Sequence, residues 1–225
     1  MKIISYSELV ANEDGKMIQK GMNFGIQKTH SVVLMSTEKN APYNDEIFDD
    51  GVIEYEGHDV PKNITPDKKS VDQSMFNESG THTENGKFVA AATNYKEGKR
   101  DPAKIKVYRK IRPGVWVDMG FDNLIDAYKR HDGMREVFKF LLEPTFEEVH
   151  EDRDFEDLLH NRTIPWEIQR EVYDRDKGKC VKCGSKENLH FDHILPFSKG
   201  GSSKTSSNIQ LLCAKHNLQK GAKFV

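Results

Sequence analysis

Apolar residues fall in short runs along this chain, and most of the runs have the period of strands. Ser31–Met35 is a β-branched apolar run, the composition of a buried strand. Gly51–Gly57 alternates apolar and charged positions between two glycines and predicts a second strand. Ile105–Arg109 alternates in the same way, and Pro113-Gly114 turns the chain into Val115–Met119. Lys87–Ala92 is a further buried segment, and Val137–Leu142 closes the set as a strand. Phe121–Tyr128 has a helical period instead, with Leu124 and Tyr128 on one face and Asp122 as its cap. Residues 1–30 are polar and punctuated by Gly21 and Gly25, with few periodic signals. Asn40–Asp50 is an acidic loop carrying Tyr43, and 61–80 is a long polar connection. Several strands with few helices predict an α+β chain whose N-terminal part is a curved sheet or open barrel.

The character changes near Glu143. From there to Asp157 the chain carries eight carboxylates and one arginine. Thr145 is a capping residue followed by early acids, and Phe146, Val149, Leu158 and Leu159 give partial amphipathy. The predicted organisation is 1–144, an acidic helical linker over 145–163, and a second module over 164–225. In that module Pro165 suits a helix's first turn, and Ile168 with Val172 gives the helix an apolar edge. The tail is basic, whereas the whole chain of 225 residues has a net charge of only -2. A basic module is what tracking a phosphate backbone requires. No apolar run is long enough to span a bilayer, and Met1–Ser7 lacks the apolar core of a signal peptide. With three cysteines and no leader, the expected compartment is a reducing cytoplasm.

The last module interleaves two kinds of chemistry. Cys180, Cys183, Cys213 and His216 form two pairs with two-residue gaps, the spacing of a tetrahedral zinc site. Cys180-x-x-Cys183 alone could be a redox pair, but the second pair, ending in His, favours structural zinc. Asp192, His193, Asn208 and Asn217 are oxygen ligands and a base, suited to a divalent cation and an activated water. His190 alternates with Phe191 in the same strand, so a ligand and a solvated side chain fit it equally.

These elements resemble the HNH nuclease family, in which a hairpin and a short helix close around one cation. The resemblance covers Ile164 to Gly221, with the Asp-His, Asn and Cys-x-x-His-Asn elements in family order. It implies that His193 is the general base, that Asn208 orients its imidazole, and that Asp192 and Asn217 hold the metal. Asn in the third place of the name leaves one imidazole fewer, which favours Mg²⁺ or Mn²⁺ over zinc there.

The N-terminal part resembles the SRA-type domain, which reads modified cytosine by flipping it out of the duplex. The landmarks are Gly25-Ile26, Ser31–Leu34, the acidic loop ending in Gly51, Tyr55-Glu-Gly57, Asp72-Gln73, Gly120–Leu124 and Val137–Leu141. The resemblance implies that Tyr43 and Tyr55 clamp the flipped base. Asp45 or Glu46 would meet the cytosine amino group. The chain departs from the family in Ser36–Pro42, where a Gly-rich tract is expected, and its loop is one residue longer before Gly51.

Together the two resemblances imply a metal-dependent, type IV restriction-like DNA endonuclease, bacterial or phage-encoded, directed at 5-methyl- or 5-hydroxymethylcytosine in double-stranded DNA. Such enzymes are typically host defences against modified phage DNA. The alternatives are an HNH nuclease with a sequence- or structure-specific binding domain, and a zinc-stabilised reader without catalysis. Double-strand cleavage from one catalytic site implies a homodimer or sequential nicking.

Overall fold

The computed structural model describes residues 1–18, 20–61, 65–145, 159–160 and 163–220. The linker expected over 145–163 lies almost wholly outside the described residues. In chain order the elements are β1 (Lys2–Ser5), α1 (Tyr6–Asn12), β2 (Met22–Asn23), β3 (Ser31–Met35), β4 (Glu46–Ile47) and β5 (Ile53–Glu56). Next come α2 (Glu84–Lys96), β6 (Ala103–Arg112), β7 (Val115–His131) and β8 (Glu136–Pro144). The second module adds α3 (Trp166–Arg175), β9 (Leu189–His193), β10 (Ile209–Cys213) and α4 (Ala214–Lys220). This is a mixed α+β fold. Its helix α3 starts immediately after Pro165, as the sequence predicts.

Among the described residues ten strands form one open sheet, in the order β10-β9-β1-β7-β6-β3-β2, with β8, β5 and β4 branching from β7. Strand β7 makes the branch possible. It is 17 residues long, pairing β1 over Val115–Asp118, β6 over Val115–Leu124 and β8 over Asp122–His131. Irregularities opposite Val107/Tyr108 and at Leu124/Asp126 re-aim the strand between partners. Phe121–Tyr128, expected as a helix, is therefore the middle of a strand. A spacing of four suits one face of a helix or of a regular strand, so that pair could not separate the two periods. The backbone partners supplied by β6 and β8 decide it. Here the bulge at Leu124/Asp126 leaves Leu124 in the hydrophobic cluster and turns Tyr128 to the other face, where it donates to Glu54. Of Lys87–Ala92, expected to be buried throughout, Phe88 and Ala92 are buried; the segment lies within helix α2, which is capped by Thr83 and turns only one face to the core.

The sheet does not stop where the second module begins. Strand β1 pairs β7 on one side and β9 on the other, through Lys2 opposite His190. Val33, Phe88, Phe140, Ile164, Val172, Phe191 and Leu211 belong to one continuous buried cluster. The Trp166 indole N–H donates to Ile111 O at 3.1 Å, and Arg109 donates to Ile164 O at 3.1 Å, tying α3 to β6. Side chains of this size stabilise by roughly 1.5–3 kcal/mol each on full burial, so sheet and second module hold each other in place.

Candidate active site

In the N-terminal part, Tyr43, Asp45, Glu56, Lys69, Arg130 and Lys139 line a cavity of about 640 Å³. Asp45 is buried, and its two carboxyl oxygens accept from Ser36 N at 3.1 Å and Glu56 N at 2.9 Å. Burial outweighs these bonds and pushes the carboxyl up to about 7. Glu46 is exposed on β4, opposite Glu54, and lies outside the lining of this cavity. Tyr55 lies outside it as well. Side chains alternate along β5, and Tyr55 joins Ile53 in the hydrophobic cluster, while Glu54 and Glu56 meet the ammonium of Lys139. The Tyr55 hydroxyl donates to Leu34 O at 3.3 Å. Of the four expected pocket residues, the structure brings Tyr43 and Asp45 together at the cavity.

In the second module, the turn before β9, the end of β10 and the first turn of α4 converge on the expected soft ligands. The donor atoms of Cys180, Cys183, Cys213 and His216 all lie within 4.8 Å of one another. His216 Nδ1 is 3.4 Å from Cys180 Sγ and 3.3 Å from Cys213 Sγ, and Cys183 and Cys213 are 3.9 Å apart. A tetrahedral zinc ion would set sulfur–sulfur edges of about 3.8 Å and sulfur–nitrogen edges of about 3.6 Å. The donor set fits zinc. Burial alone would raise the Cys180 thiol, but backbone hydrogen bonds at Cys213, Lys182 and Cys183 bring it down to about 6, as a metal thiolate requires.

The β9–β10 hairpin carries Asp192, His193 and Asn208 of the second set, and α4 carries Asn217. His193 is buried, with its Nε2 2.8 Å from Ser203 Oγ, which donates onward to His160 O at 2.9 Å. The Asn208 side chain accepts from Leu195 N at 2.8 Å and donates to Leu195 O at 3.0 Å and Ser202 O at 3.1 Å. It thus pins the loop that leads to Ser203, and it is Ser203 that meets the imidazole at Nε2. The packing at this loop is close. A Cβ on Gly201 would lie 1.9 Å from Leu195 O and 2.8 Å from Asn208 Nδ2, so only glycine fits. Asp192 Oδ2 accepts from Gln210 Nε2 at 3.0 Å and lies 2.8 Å from the ammonium of Lys220. Asn217 sits three residues before Lys220, on the same side of α4.

Residues 180–223 match the HNH endonuclease family.

The HNH match thus spans the Cys₃His cluster, the hairpin and α4. No curated protein sequence matches the chain. Among solved structures, the chain is similar to the SRA domain of SUVH5 in complex with hemimethylated CG DNA. The identity is 19%, over 65% of this chain and 86% of that one, with a TM-score of 0.43. The SUVH5 SRA domain bound to fully hydroxymethylated CG DNA gives 17% identity over 64% and 86%, with a TM-score of 0.45. ScoMcrA, a type IV phosphorothioation-dependent restriction endonuclease, is 14% identical over 99% of this chain and 55% of its own, with a TM-score of 0.42.

Two residues of the HNH site are absent from the sequence-based set. Lys220 left a signal, since three residues after Asn217 on a helix is the same face. Ser203 left none, because only the loop fold brings it to His193. Among the described residues no helix is long and apolar enough to cross a membrane.

Proposed function

We propose that this chain is a modification-dependent DNA endonuclease, with residues 1–144 reading a modified cytosine and 164–225 cutting the backbone. The observation that carries the reading is the HNH match over the hairpin and helix that hold Asp192, His193 and Asn217. Ser203 Oγ gives its hydrogen to His160 O, so it accepts from His193 Nε2, which makes Nδ1 the basic nitrogen. From there His193 takes the proton of the attacking water. The Asp192 carboxylate and Asn217 amide would hold Mg²⁺ or Mn²⁺, hard cations that match oxygen donors. That ion, when bound, stabilises charge on the phosphate and the leaving oxygen. The Cys₃His cluster would hold zinc and keep α4 against the hairpin.

On the reader side, unstacking a base costs a few kcal/mol, and stacking on an aromatic face returns roughly 1–3 kcal/mol. Tyr43 supplies such a face, and the Asp45 carboxylate can accept from the exocyclic amine of cytosine. A methyl or hydroxymethyl group is then read by shape. Lys199, Lys204 and Lys215 are exposed on the HNH side and offer cations to phosphates.

Matched duplexes that are unmodified, 5-methylated or 5-hydroxymethylated, incubated with and without Mg²⁺, test the proposal. Cutting of a modified duplex only, and only with the metal, is expected. Equal cutting of all three would leave a sequence- or structure-specific nuclease. Selective binding with no cutting in Mg²⁺ or Mn²⁺ would leave a reader without catalysis. A plasmid substrate adds one reading: direct linearisation requires paired copies, whereas a nicked intermediate marks single copies acting in turn.

A further inference from the structure

Tyr43 is already half of a stack. Its ring faces the imidazole of His58, with centroids 5.6 Å apart and planes 20° apart. Tyr43 lines the cavity of about 640 Å³, and His58 lines a second one of about 600 Å³, so the paired rings stand between two spaces.

The two rings are held differently. The His58 backbone is gripped by the buried side chain of Asn85, which accepts from His58 N at 2.8 Å and donates to His58 O at 2.8 Å. Gly57 lies against the same amide and its neighbour: a Cβ there would be 2.7 Å from both Asn85 Oδ1 and Gln73 Oε1. Gln73 is buried too, donating to Gly57 O at 2.7 Å. Two buried amides therefore fix the platform that carries His58. Tyr43 sits in the irregular segment between β3 and β4, where exchangeable contacts hold it: a hydrogen bond from the Asp59 backbone and the Lys69 ammonium 4.3 Å from its ring centroid.

We propose that Tyr43 and His58 are the two faces of the base slot, and that an extruded nucleobase enters between them while Tyr43 moves outward on its loop. This rests on the reading of residues 1–144 as a base reader. A ring sandwiched between two others needs roughly 7 Å, two stacking contacts of about 3.5 Å. The present spacing is a closed slot, short of that by little more than the shift of one loop side chain. Tyr55 cannot take the second place, because the alternation of β5 turns it into the core. Burial holds the His58 imidazole down at about 4, although Asp59 and Glu84 pull the other way. At neutral pH it is an uncharged aromatic surface, suited to stacking on a neutral base.

The test compares His58→Phe, which keeps a ring, with His58→Leu, which fills the space without one, beside Tyr43→Ala. Binding to 5-methylcytosine and unmodified duplexes is measured by anisotropy without divalent metal. A 2-aminopurine next to the target base reports unstacking. His58→Leu is expected to lower the preference for the modified duplex by between about 5-fold and 100-fold and to lose the fluorescence rise. His58→Phe should keep both within a few-fold. The salt-dependent affinity for the unmodified duplex should survive in each, which also shows that the variants fold. If Leu and Phe discriminate alike while Tyr43→Ala does not, His58 is not a face of the slot and the base reader stands. If all three variants discriminate like the wild type, this slot and the reading of the pocket fall together.

Discussion

The Lys220 ammonium lies 2.8 Å from Asp192 Oδ2 and also donates to the carbonyl of His193, so one buried lysine touches both members of the Asp-His pair. Lys220 is 5% exposed. It fastens α4 to β9 at the carboxylate assigned to the metal, which also accepts from Gln210 in a half-buried place.

Replacing Lys220 by Met keeps the stem and removes the charge, leaving the Asp192 carboxylate uncompensated. Breaking a buried pair on one side costs about 3–5 kcal/mol, and the partial exposure of Asp192 places the expectation at the low end. Lys220→Arg should recover part of it. Urea denaturation of the three proteins checks both; a Met variant as stable as wild type would reduce the contact to coincidence.

His193→Ala should lower the rate of cutting by about 10²–10⁴-fold and leave DNA binding and the melting temperature nearly unchanged. Ser203→Ala should act through kcat with little effect on KM, and by less, because the imidazole remains and only its tautomer and orientation loosen. Single-turnover cleavage of a labelled duplex separates the two steps. Wild-type rates in the His193 variant would remove it from the chemistry.

Cys180→Ser and Cys213→Ser should each lose one equivalent of zinc and lower the melting temperature, since binding energy at a closed site is folding energy. Elemental analysis and thermal melts provide the measurement. A wild-type protein without zinc, melting unchanged in strong chelator, would contradict the Cys₃His assignment.

Two groups shifted by burial, one buried and one partly buried, should give the N-terminal part opposite pH dependences. His58, held down at about 4 against an ordinary 6.5, contributes stability above pH 6.5 that fades as pH falls through about 4. Asp45, pushed up to about 7 from an ordinary 3.8, contributes stability below pH 3.8 that fades as pH rises through about 7. Across pH 4 to 6.5 the two largely offset each other. Asp45→Asn should therefore make stability rise with pH more steeply than in the wild type, and His58→Gln should make it fall, each by at most about 1.4 kcal/mol per pH unit. Denaturation midpoints at four pH values between 4.5 and 7.5 decide it.

What the sequence disclosed followed the range of the interactions. The Cys₃His cluster was legible because each pair is local, two residues apart along the chain. The strand over Ser31–Met35 was legible because its apolar run is long enough to read alone. The capping box of Ser5 and Glu8, which starts α1, is present in the letters, but Tyr6–Asn12 is too short for its period to stand out. The pairing of β1 with β9 could not be read, since Lys2 and His190 meet only in the folded chain. Tyr55 is the instructive case. Its alternation with Ile53 already placed it on the apolar face of β5, and the family pattern placed it in the clamp. In the structure the alternation prevails.

Strand β1 gives the molecule the property of a ruler. Because it is hydrogen-bonded to β7 along its length and to β9 at Lys2, the cavity near β5 and the hairpin with His193 belong to one board of sheet among the described residues. On the proposed function, a reader and a cutter mounted on one board measure a fixed length along DNA. Cleavage should leave sharp ends at a constant offset from the recognised base, and weakening the seam where Lys2 meets His190 should blur that offset before it abolishes cutting.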